Sequence, residues 1–506
     1  MKARLLFFLL LNAGLSAANG PLLVEPYLQN PASDAMSVLW VSRSPATATL
    51  RCWQGEKLVA QRQVGGHLEA DSLSYSPWES KEFGANQPGY LREVRVTGLA
   101  AGASYRYQVE QDGQIWPGEF RTAPPPDSKI RFITYSDSET EPESRGAKVR
   151  WADPRQPGQP RDYLVDQDTG YRANLAEIVR SRPDFVVIPG DLVETGGEQR
   201  DWDEFWLCNR QLSRSIPIVG VLGNHEYYGG PNDGRYEERS SERAVAKFLT
   251  YFRSPSNGQA LKREQGRYFS LDYGPITLIA IDGCNGLPHQ SGQDSNWHLA
   301  SASRPQGDFN PGSVQYVWLE QQLRRAQKRS HFTFVAFHHC PYSSGLHAFQ
   351  PGMGKDQDRQ SGLPLQTLTP LFMRYGVDAL LNGHDEMMER SEVHGRELRP
   401  DGTSRPHTLQ VYDVGIGGDG LRGPEIGNPR RKFLAHEDSP EVWQDGVLVE
   451  GGKHYGHLQV DVEPVGTGWQ ARFTPVYVFP VLNAQQQLQR FERRLYNDSL
   501  VLQEGD

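Results

Sequence analysis

Five short polar clusters, each following an apolar run, hold the residues of this chain that could do chemistry. Residues 216–222 are apolar and lead into Gly223-Asn224-His225-Glu226, an amide, an imidazole and a carboxylate in succession. Asp137 follows the run 130–135, Asp191 follows 185–189, His338 and His339 follow 332–337, and His384-Asp385-Glu386 follow 377–381. An Asn-His turn after one strand is common. Five such clusters delivering carboxylate, carboxylate, Asn, His and His to one sheet edge are what a two-metal site requires. Carboxylates supply hard oxygen ligands and can bridge, while neutral imidazoles suit transition metals, and the strand ends of an α/β sheet are where ligands bind.

The elements that must position these groups follow from periodicity. From residue 130 onward, apolar strand-like runs alternate with helix-like stretches at 171–182, 241–253, 315–329 and 368–375, and 266–283 reads as a strand pair turning at Tyr273-Gly274. Repeated βα units predict a mostly parallel sheet covered by helices. Residues 22–124 instead alternate with period two between Gly, Asp and Asn turns, as in a β-sandwich, and Pro124-Pro125-Pro126 is a stiff linker. Polar inserts at 138–170, 284–312 and 349–364 are expected at the surface, where they can also frame a pocket. Residues 485–496 read as a helical tail.

The first residues, MKARLLFFLLLNAGLSAANG, place Lys2 and Arg4 before a run of leucine and phenylalanine and then Ser16-Ala17-Ala18. This is the pattern of a signal peptide over 1–18, too short in its apolar part to span a bilayer, so the mature protein is expected to be secreted or periplasmic with no membrane anchor. With Lys2 and Arg4 gone, 51 basic residues face 62 acidic ones and the formal charge moves from −9 to −11. That balance argues against binding to nucleic-acid backbone. It also requires a site for an anionic substrate to carry its own positive charge, as metals do. Cys52, Cys208, Cys284 and Cys340 contain no CxxC pair, which excludes zinc-ribbon and thioredoxin motifs. Export permits disulfides, with Cys208–Cys284 the first pair to test.

The ordered set D…GD…GNHE…H…GHxxxxER resembles the calcineurin-like metallophosphoesterases, and within them the purple acid phosphatases and their bacterial relatives. The resemblance implies a four-layer α/β/β/α sandwich over 128–482, preceded by a fibronectin-III-like domain over 22–124 and followed by a tail, 483–506. It implies two metal ions and a small phosphorylated substrate. Asp191 would bridge the metals, and the second metal (Zn, Mn or Fe) would take Asn224, His338 and His384 besides. His338 is preferred over His339 because His338-Tyr342-Ser344 matches the family's HxxxYxS without a gap. His225 would donate to a phosphoryl oxygen or the leaving group, and His347 falls where plant enzymes keep a substrate-binding histidine.

The first metal is where the sequence departs from the family. Glu194 stands in place of the tyrosine three residues after the bridging Asp, so the purple charge-transfer colour is not expected. Glu386 replaces the second His of GHxH, and Glu139 stands where relatives have Gly or His. The expected first site is Asp137, Asp191 and Glu386, with Glu139 or Glu194 in reach, and such oxygen ligation favours Fe, Mn, Mg or Ca. The alternative is that Glu386 and Glu139 face solvent and this metal is weak or lost.

The reaction implied is in-line attack of a metal-bridging hydroxide on a phosphate monoester. A phosphodiesterase on the same core and a non-catalytic binding module with a decayed site are the competing readings. Two motifs are set aside. Gly415 to Gly420 matches GxGxxG, but LRGPEIGNPR after it cannot form the helix a dinucleotide site needs. His454 and His457 open a strand at a spacing that does not favour one face and read as structural.

Overall fold

The computed structural model describes residues 20–152, 160–284, 308–350, 353, 360–435, 442–444, 447–450 and 453–505. The expected signal peptide lies outside these residues, as do most of the insert 284–312 and parts of 138–170 and 349–364.

The N-terminal region is two four-stranded sheets. One orders Leu22–Gln29, Ala35–Ser42, Tyr90–Thr97 and His67–Leu68; the other orders Lys57–Val64, Ala48–Gln54, Ser104–Gln111 and Gln114–Arg121. Trp40, Leu50, Val94, Tyr107 and Phe120 close the space between them. The first strand also packs outward. Tyr27 lies 4.1 Å, ring to ring, from Trp206, and its hydroxyl donates to the Tyr251 carbonyl at 2.9 Å.

Two seven-stranded sheets form the rest of the core. In the first, Ile218–Val221, Phe185–Pro189 and Ile130–Thr134 run parallel, and Gly456–Val465 and Gly468–Leu482 continue the sheet antiparallel. In the second, Ile276–Ala280, Phe332–His339, Ala379–Gly383 and Ser404–Val414 run parallel. Five of these seven parallel strands, all but Ile130–Thr134 and Ser404–Val414, are buried along their whole length, as strands covered on both faces must be. The sheets meet face to face through Phe132, Phe334 and Phe473, with ring centroids 5.5 and 5.9 Å apart.

Helices Gln167–Ser181, Gln199–Ser213 and Glu238–Tyr251 cover one outer face and Val314–Arg329 with Thr369–Arg374 the other. The result is the four-layer α/β/β/α sandwich that the resemblance implies. Helix starts are fixed locally: Asp166 accepts the Thr169 N–H at 3.0 Å and Ser313 the Tyr316 N–H at 3.2 Å, both N-caps.

The expected helical tail is a correction. Residues Leu488–Leu495 and Leu500–Gln503 are strands, both antiparallel to Gly468–Leu482. Edge pairing and the stack of Tyr496 on Tyr477, centroids 4.4 Å apart, override the helix-forming Gln, Glu and Arg residues, since tertiary packing outweighs propensity. The four cysteines are free, so the Cys208–Cys284 pairing does not form. Cys208 lies beside Asp168 and Glu204, and Cys284 beside the Leu222 carbonyl. Helix Gln199–Ser213 is also unforeseen, although Trp202, Phe205, Trp206 and Leu212 give it a buried face. No helix among the described residues is long and apolar enough to cross a membrane.

Candidate metal centre

The ends of the parallel strands in both sheets open on one place, where five of the expected ligand positions have positive φ. These are Asp137 (57°), Glu139 (35°), Asp191 (53°), His384 (82°) and Glu386 (49°). Left-handed backbone is unfavourable for residues with a Cβ and persists where the surroundings over-determine it, commonly at functional sites. Here the turns aim side chains back over the strand ends. Gly223 is needed for close approach, because a Cβ there would sit 2.1 Å from Asp191 Oδ1.

Glu226 ties two of these turns together. Its carboxylate accepts the N–H groups of Asp191 and Leu192 at 2.9 Å each and of Gly223 at 2.7 Å. Asp191 is thereby fixed from behind, while its own Oδ1 accepts the His225 N–H at 2.9 Å. Asp385 likewise works from outside the centre, accepting the His347 N–H at 2.7 Å.

Asp191, His338 and His384 bring one ligand atom each within 4.8 Å of one another. His338 Nδ1 donates to the Pro189 carbonyl at 2.9 Å and His384 Nε2 to the Gln360 carbonyl at 2.8 Å. Those partners fix the tautomers and turn His338 Nε2 and His384 Nδ1 inward, 3.1 Å apart. Burial and the neighbouring imidazoles hold the His384 pKa well below the ordinary histidine value, so it is neutral, as a ligand must be. Asn224 is buried, its amide nitrogen 3.3 Å from the Tyr236 hydroxyl and its Oδ1 without a hydrogen-bond partner. A buried carbonyl oxygen with no donor and two imidazole lone pairs facing a carboxylate fit a cation. His339 lies against the His384 ring at 4.2 Å, fully buried, and neither ring nitrogen has a hydrogen-bond partner.

Two further groups adjoin the first. Asp137, Glu139 and Asp191 form one, and Glu139, Glu386 and Asp419 the other. Both Asp137 oxygens accept the His384 N–H at 3.0 Å, and burial lifts the Asp137 pKa to about 6. Glu386 gathers with Asp419 one step out from Asp191, and Glu139 is common to both carboxylate groups. Neither glutamate faces solvent: Glu139 is 6% exposed and Glu386 3%. Burial, then Asp419 and Glu386, push the Glu139 carboxyl well above its ordinary range. A cation in these groups would remove that penalty.

Asp419 was not foreseen. It belongs to the Gly415–Gly420 loop, whose Gly418 and Asp419 N–H groups donate to the Asp137 carbonyl at 3.1 and 3.0 Å. No helix follows over 421–430. An acidic residue inside a glycine-rich run after the last expected ligand was the available signal.

His225 and His347 stand at the rim. His225 Nδ1 donates to the Glu194 carbonyl and its Nε2 is 4.0 Å from Asp191 Oδ2. Burial lowers its pKa, but Asp191 and Glu194 outweigh burial and raise it to about 9. His347 stacks on His384 with centroids 3.8 Å apart. His454 and His457 lie elsewhere, against the Tyr163 hydroxyl at 2.9 Å and the Asn174 side-chain Oδ1 at 2.7 Å, as structural residues.

Residues 165–386 match the family described as Calcineurin-like phosphoesterase. Asp137 and Asp419 lie outside that span. An uncharacterized protein of Mycobacterium tuberculosis is 25% identical over 369 residues, 70% of this chain and 61% of its own length. The chain thus spans less than two thirds of that relative. Two solved structures share the fold. A purple acid phosphatase, PPD1, from yellow lupin (Lupinus luteus) gives a TM-score of 0.59 at 16% identity, covering 92% of this chain and 73% of its own. PhoD gives 0.60 at 13%, covering 96% and 90%. Fold and family match agree: residues 165–386 match the Calcineurin-like phosphoesterase family, on a fold shared with those two structures.

Proposed function

We propose that the chain is an exported phosphoesterase that holds two metal ions and hydrolyses phosphate monoesters. The observation that carries this reading is the convergence of Asp191, His338 and His384 beside the undonated Asn224 oxygen, flanked by a second, all-carboxylate group. Asp191, Asn224, His338 and His384 would hold one metal. Asp137, Glu139 and Asp191 would hold the other, a hard cation, with Glu386 and Asp419 adjoining. When bound, such a pair lowers the pKa of water and neutralises charge developing on the phosphoryl group.

The remaining work belongs to the chain. Pro189 and Gln360 fix the two imidazole tautomers, Glu226 holds the Asp191 turn, and the buried walls exclude bulk water. His225, held at Nδ1 by the Glu194 carbonyl, presents Nε2 as a proton donor for the leaving group. In the metal-free chain Asp191 and Glu194 raise its pKa to about 9, and the Glu194 carbonyl holds the ring in the orientation a general acid needs. No side-chain nucleophile is needed, because phosphoryl transfer depends on positioning and charge neutralisation.

The test is elemental analysis of the purified chain together with hydrolysis of p-nitrophenyl phosphate and its bis-ester. Two metals per chain with monoester turnover is the expected result. Preference for the bis-ester would make it a diesterase. No turnover of either ester after adding Mn²⁺, Fe, Mg²⁺, Ca²⁺ or Zn²⁺ would leave a binding module.

A further inference from the structure

Between its strands His67–Leu68 and Tyr90–Thr97 the N-terminal sandwich carries a short helix, Pro77–Phe83, and Glu79 of that helix is fully buried. The Glu79 carboxylate reaches out of the sandwich and accepts the N–H groups of Gln199 at 3.0 Å and Arg200 at 2.9 Å. These residues open helix Gln199–Ser213, whose own N-cap residue, Glu198, makes no side-chain capping bond among the described residues. Helix starts leave N–H groups without intrahelical partners, and here a carboxylate from another layer of the molecule takes two of them. Buried Lys247 fastens the same segment: its Nζ donates to the Ser72 and Ser74 carbonyls at 3.0 and 2.7 Å and to Gln199 Oε1 at 3.0 Å. The first turn of the helix then holds the loop beside His225. Asp201 Oδ2 accepts the Thr195 N–H at 2.9 Å, and Trp202 Nε1 donates to the Gly196 carbonyl at 2.9 Å. From that loop the Gly196 N–H donates to the His225 carbonyl at 3.0 Å and the Gly197 N–H to the Tyr228 carbonyl at 2.9 Å. The approach is close enough that a Cβ on Gly196 would lie 2.5 Å from the His225 carbonyl oxygen. Glu194, just before it, accepts His225 Nδ1.

We infer that Glu79 of the N-terminal sandwich is a positioning residue for His225, acting through the start of helix Gln199–Ser213 and the loop 194–197. This rests on the phosphoesterase reading above, in which His225 donates the leaving-group proton, and it gives the sandwich a part in that step. A carboxylate at a helix start satisfies the orphan N–H groups and complements the helix dipole. Without it, two buried N–H groups lose their acceptor and the first turn, which carries Asp201 and Trp202, loosens. Thr195 and Gly196 then lose their fixed partners, and the Glu194 carbonyl no longer holds the imidazole in one orientation. A proton donor must lie within hydrogen-bond reach of the atom it protonates, so a small displacement of His225 slows that step while the metal ligands stay in place.

The experiment compares wild type, Glu79→Ala, Glu79→Gln, His225→Ala and the Glu79→Ala/His225→Ala double variant in the full chain. Kinetics on p-nitrophenyl phosphate and phenyl phosphate are read with metals loaded, and hydrogen exchange by mass spectrometry without them. Glu79→Ala should lower kcat on p-nitrophenyl phosphate about tenfold with KM within about threefold. The fall should be larger on phenyl phosphate, whose poorer leaving group depends more on a proton donor. In the His225→Ala background the same change should lower kcat by less than about twofold, because residues acting through one another are not additive. Glu79→Gln keeps one acceptor oxygen and should recover part of the loss. Amide exchange should quicken over 195–200 and 225–228 in Glu79→Ala and stay unchanged in the strands of the sandwich. Tyr107→Phe is the control: that hydroxyl donates to the Arg214 carbonyl at 2.8 Å, at the far end of the same helix, and its removal should leave kcat within about twofold. Equal falls on both esters, full additivity with His225→Ala, unchanged exchange over 225–228, or the same loss in Tyr107→Phe would overturn the inference. A wild type that turns over neither ester would sink the phosphoesterase reading instead, and the exchange comparison would still decide whether Glu79 holds the His225 loop.

Discussion

Asp191 Oδ2 and His338 Nε2 face each other at 2.8 Å, both side chains shielded from solvent. The carboxylate comes from the first sheet and the imidazole from the second, so this contact closes the two halves of the core at the centre. Without metal it is an ion pair. Burial alone would lower the His338 pKa, but the Asp191 charge raises it to about 9.

A pH signature follows with a definite sign. Because the folded-state pKa is raised above the unfolded 6.5, the pair stabilises the metal-free protein fully below pH 6.5. That contribution is lost as pH rises through about 9. A cation competes with the same proton, so metal affinity should rise over this window, at most roughly tenfold per pH unit for one proton. Calorimetric metal titrations in buffers of different ionisation enthalpy count the protons released. His338→Gln should release one fewer, and an unchanged count would remove His338 from the ligand set.

Asn224 and His225 are adjacent but should behave oppositely. Asn224→Ala is expected to lose one metal per chain and about 100-fold or more in turnover, as disruption of a metal's coordination does. His225→Ala should keep its metals and lose about 10²-fold in kcat, the loss of a general acid. Elemental analysis beside saturation kinetics separates them. Metal loss in His225→Ala would make that residue a ligand.

Glu226 touches no substrate position, yet three backbone N–H groups depend on it. Glu226→Ala should destabilise the fold by about 3 kcal/mol or more, because three buried N–H groups lose their acceptor at roughly 1–3 kcal/mol each. The urea midpoint reads the loss. Metal affinity should fall with it, since the Asp191 turn would no longer be fixed.

Asp498 tests the C-terminal strands. It receives Nε and Nη2 of Arg390 at 2.8 Å each, and that guanidinium is 9% exposed. Asp498→Ala leaves Arg390 with Glu392 and Gln410, both at 2.9 Å, and should cost about 3 kcal/mol, as breaking a buried pair does. Metal content should not change.

The sequence by itself determined the strand ends that carry the candidate ligands. Asp137, Asp191, Asn224, His338 and His384 each follow an apolar run, and a buried parallel strand can only end in a turn. Period-two alternation over 22–124 and βα alternation after 130 determined the two layer types in the same way, because both periodicities are local. What depended on distant partners was not legible. Residues 485–496 carry helix-forming side chains and became strands because the edge of Gly468–Leu482 was there to pair with. Helix Gln199–Ser213 was hidden by its polar composition until four aromatic and aliphatic side chains found the core. Glu386 was read as a ligand beside Asp137 and Asp191 with Glu139 or Glu194 in reach, but only the tertiary structure set it with Asp419 and Arg422. A glycine-rich loop more than thirty residues downstream brings the last two in, and no spacing in the sequence encodes that approach.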